Sequence, residues 1–112
     1  MTYPFTETVK NVVNLLVAEK YRALEALTSA KRFTAEDIAR TVTQYGRVLS
    51  SPPEQAYEEL DVIKIQNASV PKWSVRMGLW TLEDGRSDLS IELTLIQNDR
   101  GYAVELDDIH VL

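Results

Sequence analysis

The amino-acid sequence predicts a single α+β domain over residues 1–112, with helices in residues 4–49 and an antiparallel sheet of about four strands in residues 56–112. Two observations carry this prediction. Apolar residues recur with a helical period before "SSPPEQ" and alternate with a period of two after it. Pro52 and Pro53 cannot continue a helix. Helices followed by consecutive strands are typical of a fold in which the helices cover one face of the sheet.

Three helices are predicted in the first half of the chain. The apolar residues of the first share one helical face: Phe5, Val9, Val12, Val13 and Leu16. A phase shift near "AEKY" predicts a break before a second, short helix. The third begins at "TAED", where the Thr34 side chain can accept a hydrogen bond from the backbone N–H of Asp37, and Gly46 is placed to end it.

Four strands are predicted, over residues 62–66, 73–82, 87–97 and 102–112. The odd-numbered apolar residues of the second and third strands should share the buried face, which requires a connection of three or five residues, such as Asp84-Gly85-Arg86. The polar residues between them then point away from the core: Asp88, Ser90, Glu92 and Thr94.

The last strand has two possible registers. A four-residue loop "NDRG" pairs Leu95 with Val104 and Leu93 with Leu106, and the same register continued would bury Asp108 and His110. Such a pair on an apolar face would resemble a ligand pocket or an acid–base dyad. The favoured alternative is a β-bulge at "LDD", which turns Ile109 and Val111 inward and His110 outward.

Charge is unevenly distributed along the chain. Residues 1–50 carry seven Lys and Arg against five Asp and Glu, whereas residues 51–112 carry five against twelve, a balance of −7. An acidic sheet half disfavours nucleic acid and favours a basic protein partner or simple solubility. No apolar run is long enough for a membrane span and no signal core is present, so we expect a cytoplasmic protein without membrane contact.

Most common active-site chemistries are missing from the sequence. There is no cysteine and only one histidine, which excludes zinc–thiolate and multi-histidine sites, so we expect no metal and no cofactor. Phosphate-binding glycine loops, nucleophile elbows and HExxH motifs are also absent. The sequence therefore favours a protein that is not an enzyme.

A candidate contact surface lies on the polar face of the predicted sheet. Trp80 and Arg76 share that face, and both residue types are enriched at binding hot spots. The carboxylates expected to extend the surface are Asp88, Glu92 and Asp107. An equally supported alternative is that Trp80 lies at the end of its strand and packs under a loop.

The segments "LWT-EDGRSDLSIEL" and "DDIHVL" resemble those of a family of small uncharacterised bacterial proteins. The order of elements is similar to the cystatin-like and nuclear-transport-factor-like folds, and this resemblance implies a curved sheet that wraps an N-terminal helix. Enzymes of that larger group use an Asp base and a Tyr or acid donor inside the cone. In this chain only Asp108 and His110 are candidates for such roles.

Two functions follow as expectations. The first is a non-catalytic protein-binding module, specifically an immunity-type inhibitor of a basic bacterial toxin, with electrostatic attraction setting the association rate. The alternative is a small-molecule-binding or enzymatic pocket between helices and sheet that uses Asp108 and His110. A homodimer through the exposed sheet face remains open.

Overall fold

The computed structural model describes residues 3–29 and 32–112. Three helices come first: α1 (Thr6–Val17), α2 (Tyr21–Leu27) and α3 (Ala35–Tyr45). They are followed by β1 (Leu49–Ser50), a short 3-10 helix (Glu54–Glu58), β2 (Asp61–Lys64), β3 (Lys72–Thr81), β4 (Gly85–Asn98) and β5 (Gly101–Val111). The α+β class and the order of elements are confirmed. The sheet has five strands because the two-residue β1, which no pattern predicted, joins it.

The helical layer forms as its sequence predicts. The apolar stripe of α1 is completely buried from Val9 to Leu16. At the start of α3, Thr34 Oγ1 accepts a hydrogen bond from the Asp37 backbone N–H at 3.2 Å, and Asp37 Oδ2 accepts one from the Thr34 N–H at 3.1 Å. The Thr34 backbone N–H, followed by the Thr34 side chain, stabilises the Asp37 carboxylate and lowers its pKa. Gly46 ends the helix in the left-handed conformation, with φ of 78°.

The sheet is antiparallel and is ordered β1-β3-β4-β5, with β2 also pairing with β3. β1 pairs with residues 80–81 of β3, and β2 pairs with residues 73–76 of the same strand edge. Residues 77–79 of β3 therefore have no strand partner on that edge within the described part of the chain. This interruption lies beside the 3-10 helix.

The predicted sharing of odd-numbered residues between β3 and β4 is confirmed. These residues are buried: Val75, Met77, Leu79, Leu89, Ile91, Leu93 and Leu95. The connection has the predicted odd length but lies earlier than expected, over residues 82–84, because Thr81 pairs with Gly85. The register shifts between Gly78, which pairs with Ser90, and Trp80, which pairs with Arg86. Three β4 residues, 87–89, therefore lie opposite the single β3 residue Leu79. Asp88 lies in this irregular segment.

The β-bulge at the end of β5 is also confirmed, but Val111, expected to be buried, is 53% exposed because it lies at the end of the strand. Leu106 pairs with Leu93, but Asp108 pairs with Glu92, so Asp107 is an extra residue in β5. Ile109 is buried and His110 lies opposite Ser90. The alternative register that buries Asp108 and His110 is therefore wrong. The preceding loop is two residues, 99–100, instead of four, although its predicted core pairs are present.

An aromatic cluster joins the helices to the sheet. Phe5, just before α1, has its ring centroid 5.5 Å from that of Trp73 on β3 and 5.7 Å from that of Tyr102 on β5. The Trp73 and Tyr102 rings are 5.9 Å apart in an edge-to-face arrangement. Together with the buried faces of α1 and α3, this cluster fills the inner side of the sheet.

The bulge makes a prediction about stability. Ile109→Ala should lower the free energy of unfolding by about 2–5 kcal/mol, because it removes buried methyl groups. Val111→Ala should cost less than about 1 kcal/mol, since Val111 is 53% exposed whereas Ile109 is 4% exposed. Urea unfolding followed by circular dichroism measures both. A cost below about 1 kcal/mol at Ile109 would contradict the bulged register, because a strand without the bulge turns Ile109 outward.

A second prediction concerns the contact at the bulge itself. Thr94 Oγ1 donates a hydrogen bond to Asp107 Oδ2 at 2.6 Å. A double-mutant cycle of Thr94→Val and Asp107→Ala should give a coupling of about 1 kcal/mol in unfolding free energy. The control cycle combines Thr94→Val with Asp99→Ala in the exposed turn, and its coupling should be close to zero. The same coupling in both cycles would mean that Thr94 does not hold the bulge.

Candidate functional site

The polar side of the sheet, opposite the helices, carries the candidate site. We call this surface the outer face and define it by these residues: Ser74, Arg76, Gly78, Trp80, Ser90, Glu92, Thr94, Glu105, Asp107, Asp108 and His110. Most are half-buried or exposed. Ser90 is the exception, because it is fully buried and its hydroxyl donates to the Met77 carbonyl at 3.3 Å.

Three ionisable side chains converge on the outer face and form what we call the carboxylate–histidine cluster: Glu92, Asp108 and His110. Glu92 and Asp108 are direct partners across β4 and β5, and His110 follows two residues later on the same face. His110 Nδ1 lies 2.9 Å from Asp108 Oδ2 and 3.4 Å from Glu92 Oε2. This nitrogen is sealed from solvent and has no hydrogen-bond partner among the described residues.

One oxygen of each carboxylate in the cluster contacts a group outside the cluster. Asp108 Oδ1 accepts a hydrogen bond from the Ile109 backbone N–H at 2.9 Å. Glu92 Oε1 lies 3.4 Å from Nη2 of Arg76, its cross-strand neighbour on β3. Each carboxylate therefore uses one oxygen for support and turns the other toward His110. A donor set of one imidazole nitrogen and two carboxylate oxygens can hold a cation.

A pocket of about 240 Å³ adjoins the cluster, because its lining includes Arg76, which contacts Glu92. Gly78 lines the pocket, and Arg86 packs closely against it: a Cβ added at Gly78 would lie only 3.3 Å from Arg86 Nε. Trp80 also lines the pocket and is half-buried, between Ser50 of β1 and Arg86 of β4. Trp80 therefore lies within the sheet and is half-buried. The sequence had predicted either an exposed Trp80 or one that packs under a loop, and the structure shows neither.

The structure brings together most of the predicted contact residues but not Asp88. Arg76 and Glu92 contact each other, and Trp80 lines the adjoining pocket. Asp107 accepts a hydrogen bond from Thr94 on the same face. The Asp88 carboxylate instead accepts a hydrogen bond from the hydroxyl of Tyr45, at the end of α3, at 2.5 Å. This bond raises the pKa of Tyr45. The expectation that Asp88 shares a surface with Glu92 is therefore wrong, because the irregular segment of β4 redirects it.

Charge on the outer face is unevenly distributed. The β4–β5 half carries four carboxylates: Glu92, Glu105, Asp107 and Asp108. The β3 side has mixed charge, because the pocket there is lined by Arg76 and Arg86 together with Glu59 and Asp61. Sequence reasoning recognised Asp108 and His110 as a pair but placed them inside the fold. The contact of Asp108 and His110 with Glu92 was not predicted, because it exists only in the bulged register.

The comparisons with known proteins concern the family alone. Among the described residues, no helix has both the length and the apolar character needed to cross a membrane. No curated protein and no solved structure matches the chain, so the cystatin-like resemblance stays a prediction. Residues 13–112 match the family described as "Domain of unknown function (DUF7668)", and the chain belongs to that family.

Proposed function

We propose that the protein is a non-catalytic binding module that holds a basic protein partner against its outer face. The observation that carries the proposal is the concentration of carboxylates on the β4–β5 half of that face. The carboxylates are Glu92, Glu105, Asp107 and Asp108. Lys- and Arg-rich surfaces are the complementary chemistry, and opposite potentials accelerate association and exclude wrong partners.

The size of the outer face suits this role. β4 has 14 residues and is flanked by β3 and β5 along most of its length. β3, β4 and β5 have 10, 14 and 11 residues, and together they present roughly 550 Å² of sheet surface at about 3.3 Å per residue and 4.8 Å per strand. A stable protein interface buries about 800 Å² on each partner. The outer face supplies most of such an area without any rearrangement.

Several of its side chains are already fixed before a partner arrives. Thr94 holds Asp107, and Arg76 contacts Glu92. Side chains ordered in advance lose less conformational entropy on binding. The adjoining pocket, lined by Trp80 and Arg86, has the volume to take one partner side chain as an anchor.

The narrower form of the proposal is an immunity-type inhibitor of a basic bacterial toxin, acting in the cytoplasm. Its support is the acidic balance of residues 51–112 and the likeness of small acidic α+β chains that neutralise toxins. The cystatin-like and bacterial assignments belong to this narrower form as well. The broader proposal of a basic partner stands without it.

Charge reversal tests the proposal. Glu105→Lys combined with Asp107→Lys reverses two carboxylates of the outer face and leaves the carboxylate–histidine cluster unchanged. The matched control, Glu19→Lys with Glu36→Lys, makes the same change in charge at exposed positions of the helical layer. A partner recovered by pull-down is purified, and its association rate is measured by surface plasmon resonance at low and high salt.

We expect a basic partner whose association rate with the outer-face variant falls roughly 10-fold or more, while the control stays within about 3-fold. High salt should slow the wild-type protein toward the rate of the variant, because screening removes the same attraction. An acidic partner, or equal losses in both variants, would disprove the proposal. Circular dichroism verifies that the variants are folded.

A further inference from the structure

We propose that Glu92, Asp108 and His110 form a binding site for a divalent transition-metal ion of the Zn²⁺ class. This inference goes beyond the proposed partner binding and does not depend on it. It rests on the arrangement of donor atoms, on an unsatisfied nitrogen and on the groups that orient the carboxylates.

The donor atoms are spaced as if around a common ion. Zinc lies about 2.0–2.2 Å from nitrogen and carboxylate oxygen, so neighbouring donors in an octahedral or tetrahedral shell are about 2.8–3.6 Å apart. His110 Nδ1 lies 2.9 Å from Asp108 Oδ2 and 3.4 Å from Glu92 Oε2. All three residues offer donor atoms within 4.8 Å of one another. A small movement of side chains would complete the shell.

The unsatisfied nitrogen is the second observation. Nδ1 of His110 is sealed from solvent and makes no hydrogen bond with any described residue, although two carboxylate oxygens are close. Buried polar atoms in native proteins nearly always have a partner, and a lone one calls for an explanation. A neutral imidazole directs a lone pair, and a metal ion between this nitrogen and the two oxygens would satisfy it.

Each carboxylate is oriented by a group outside the cluster. The Ile109 backbone N–H holds Asp108 Oδ1, and Arg76 contacts Glu92 Oε1. Such contacts fix the direction of metal ligands in known sites. The side chains of Glu92, Asp108 and His110 are 27%, 48% and 32% exposed, so the site lies at the surface, and an ion reaches Nδ1 when the carboxylates move apart.

The donor set defines the class of ion. An imidazole nitrogen favours zinc and similar transition metals over Mg²⁺ and Ca²⁺, which prefer oxygen ligands alone. Three protein ligands leave at least one coordination position for water or another donor. Two carboxylates carry the charge that a divalent ion requires, whereas Arg76 opposes it. Removing the Arg76 charge should therefore strengthen binding.

The test uses tag-free protein titrated with ZnCl₂ and, separately, with MgCl₂. His110 is the only histidine of the chain, so its imidazole NMR signals report directly on the site. We expect one Zn²⁺ per chain by isothermal titration calorimetry, with a shift of the His110 Nδ1 resonance. MgCl₂ should leave that resonance unchanged.

Variants then assign the ligands. His110→Ala, His110→Gln and Glu92→Gln should each weaken Zn²⁺ binding by about 10- to 100-fold or more, since they remove donors. Arg76→Gln should strengthen it by roughly 3-fold, since a nearby positive charge is lost. The control, Asp107→Asn, changes a neighbouring carboxylate held by Thr94 and should stay within about 3-fold.

Three results would overturn the inference: no saturable Zn²⁺ binding, binding that both His110 variants retain, or equal responses to Zn²⁺ and Mg²⁺. The first would leave a charge cluster without a metal function. The second would place the ion elsewhere on the acidic surface. None of these results bears on partner binding, because the charge-reversal variants leave all three ligands in place.

Discussion

A single extra residue in β5 determines which side chains reach each face of the sheet. Before Asp107, the strand turns Val104 and Leu106 inward, and after it Ile109 is inward while Asp108 and His110 are outward. Without the bulge, His110 would face Leu89 inside the core. Burying a carboxylate and an imidazole among apolar side chains is costly, whereas burying Ile109 is favourable. The bulge is therefore the arrangement that satisfies both sets of residues.

The bulge also creates a local electrostatic conflict. It aligns Asp108 directly with Glu92, and like charges opposite each other destabilise a sheet. The Arg76 guanidinium, 3.4 Å from Glu92, offsets part of this repulsion. Natural sequences tend to retain such conflicts where a site is needed. Meanwhile the inner face of the sheet is filled by the helices and the Phe5 cluster.

Periodicity and capping residues were sufficient to predict the three helices and the four longer strands, because these signals act locally, whereas β1 and the 3-10 helix were not predicted. The capping box at Thr34 and the odd-numbered buried face of β3 and β4 followed from a few neighbouring residues. Register was harder, since it depends on insertions that a strand pattern tolerates at polar positions. The two additional residues near Asp88 left no signal in the sequence. The contact between Glu92 and His110 depends on the bulged register of β5. From the sequence, only the Asp108 and His110 pair could be recognised.

The acidic outer face links the two proposals through charge. A divalent ion at the carboxylate–histidine cluster would neutralise Glu92 and Asp108 and leave Glu105 and Asp107 to attract a basic partner. Metal binding would then weaken the binding of a basic partner, because it reduces the negative potential that attracts the partner. A partner that supplied a donor to the open coordination position would instead bind more tightly with the metal present. In either case the coupling is reciprocal, because each ligand changes the affinity of the other by the same factor. The sign of that coupling depends on whether the partner meets the ion or only the carboxylates beside it.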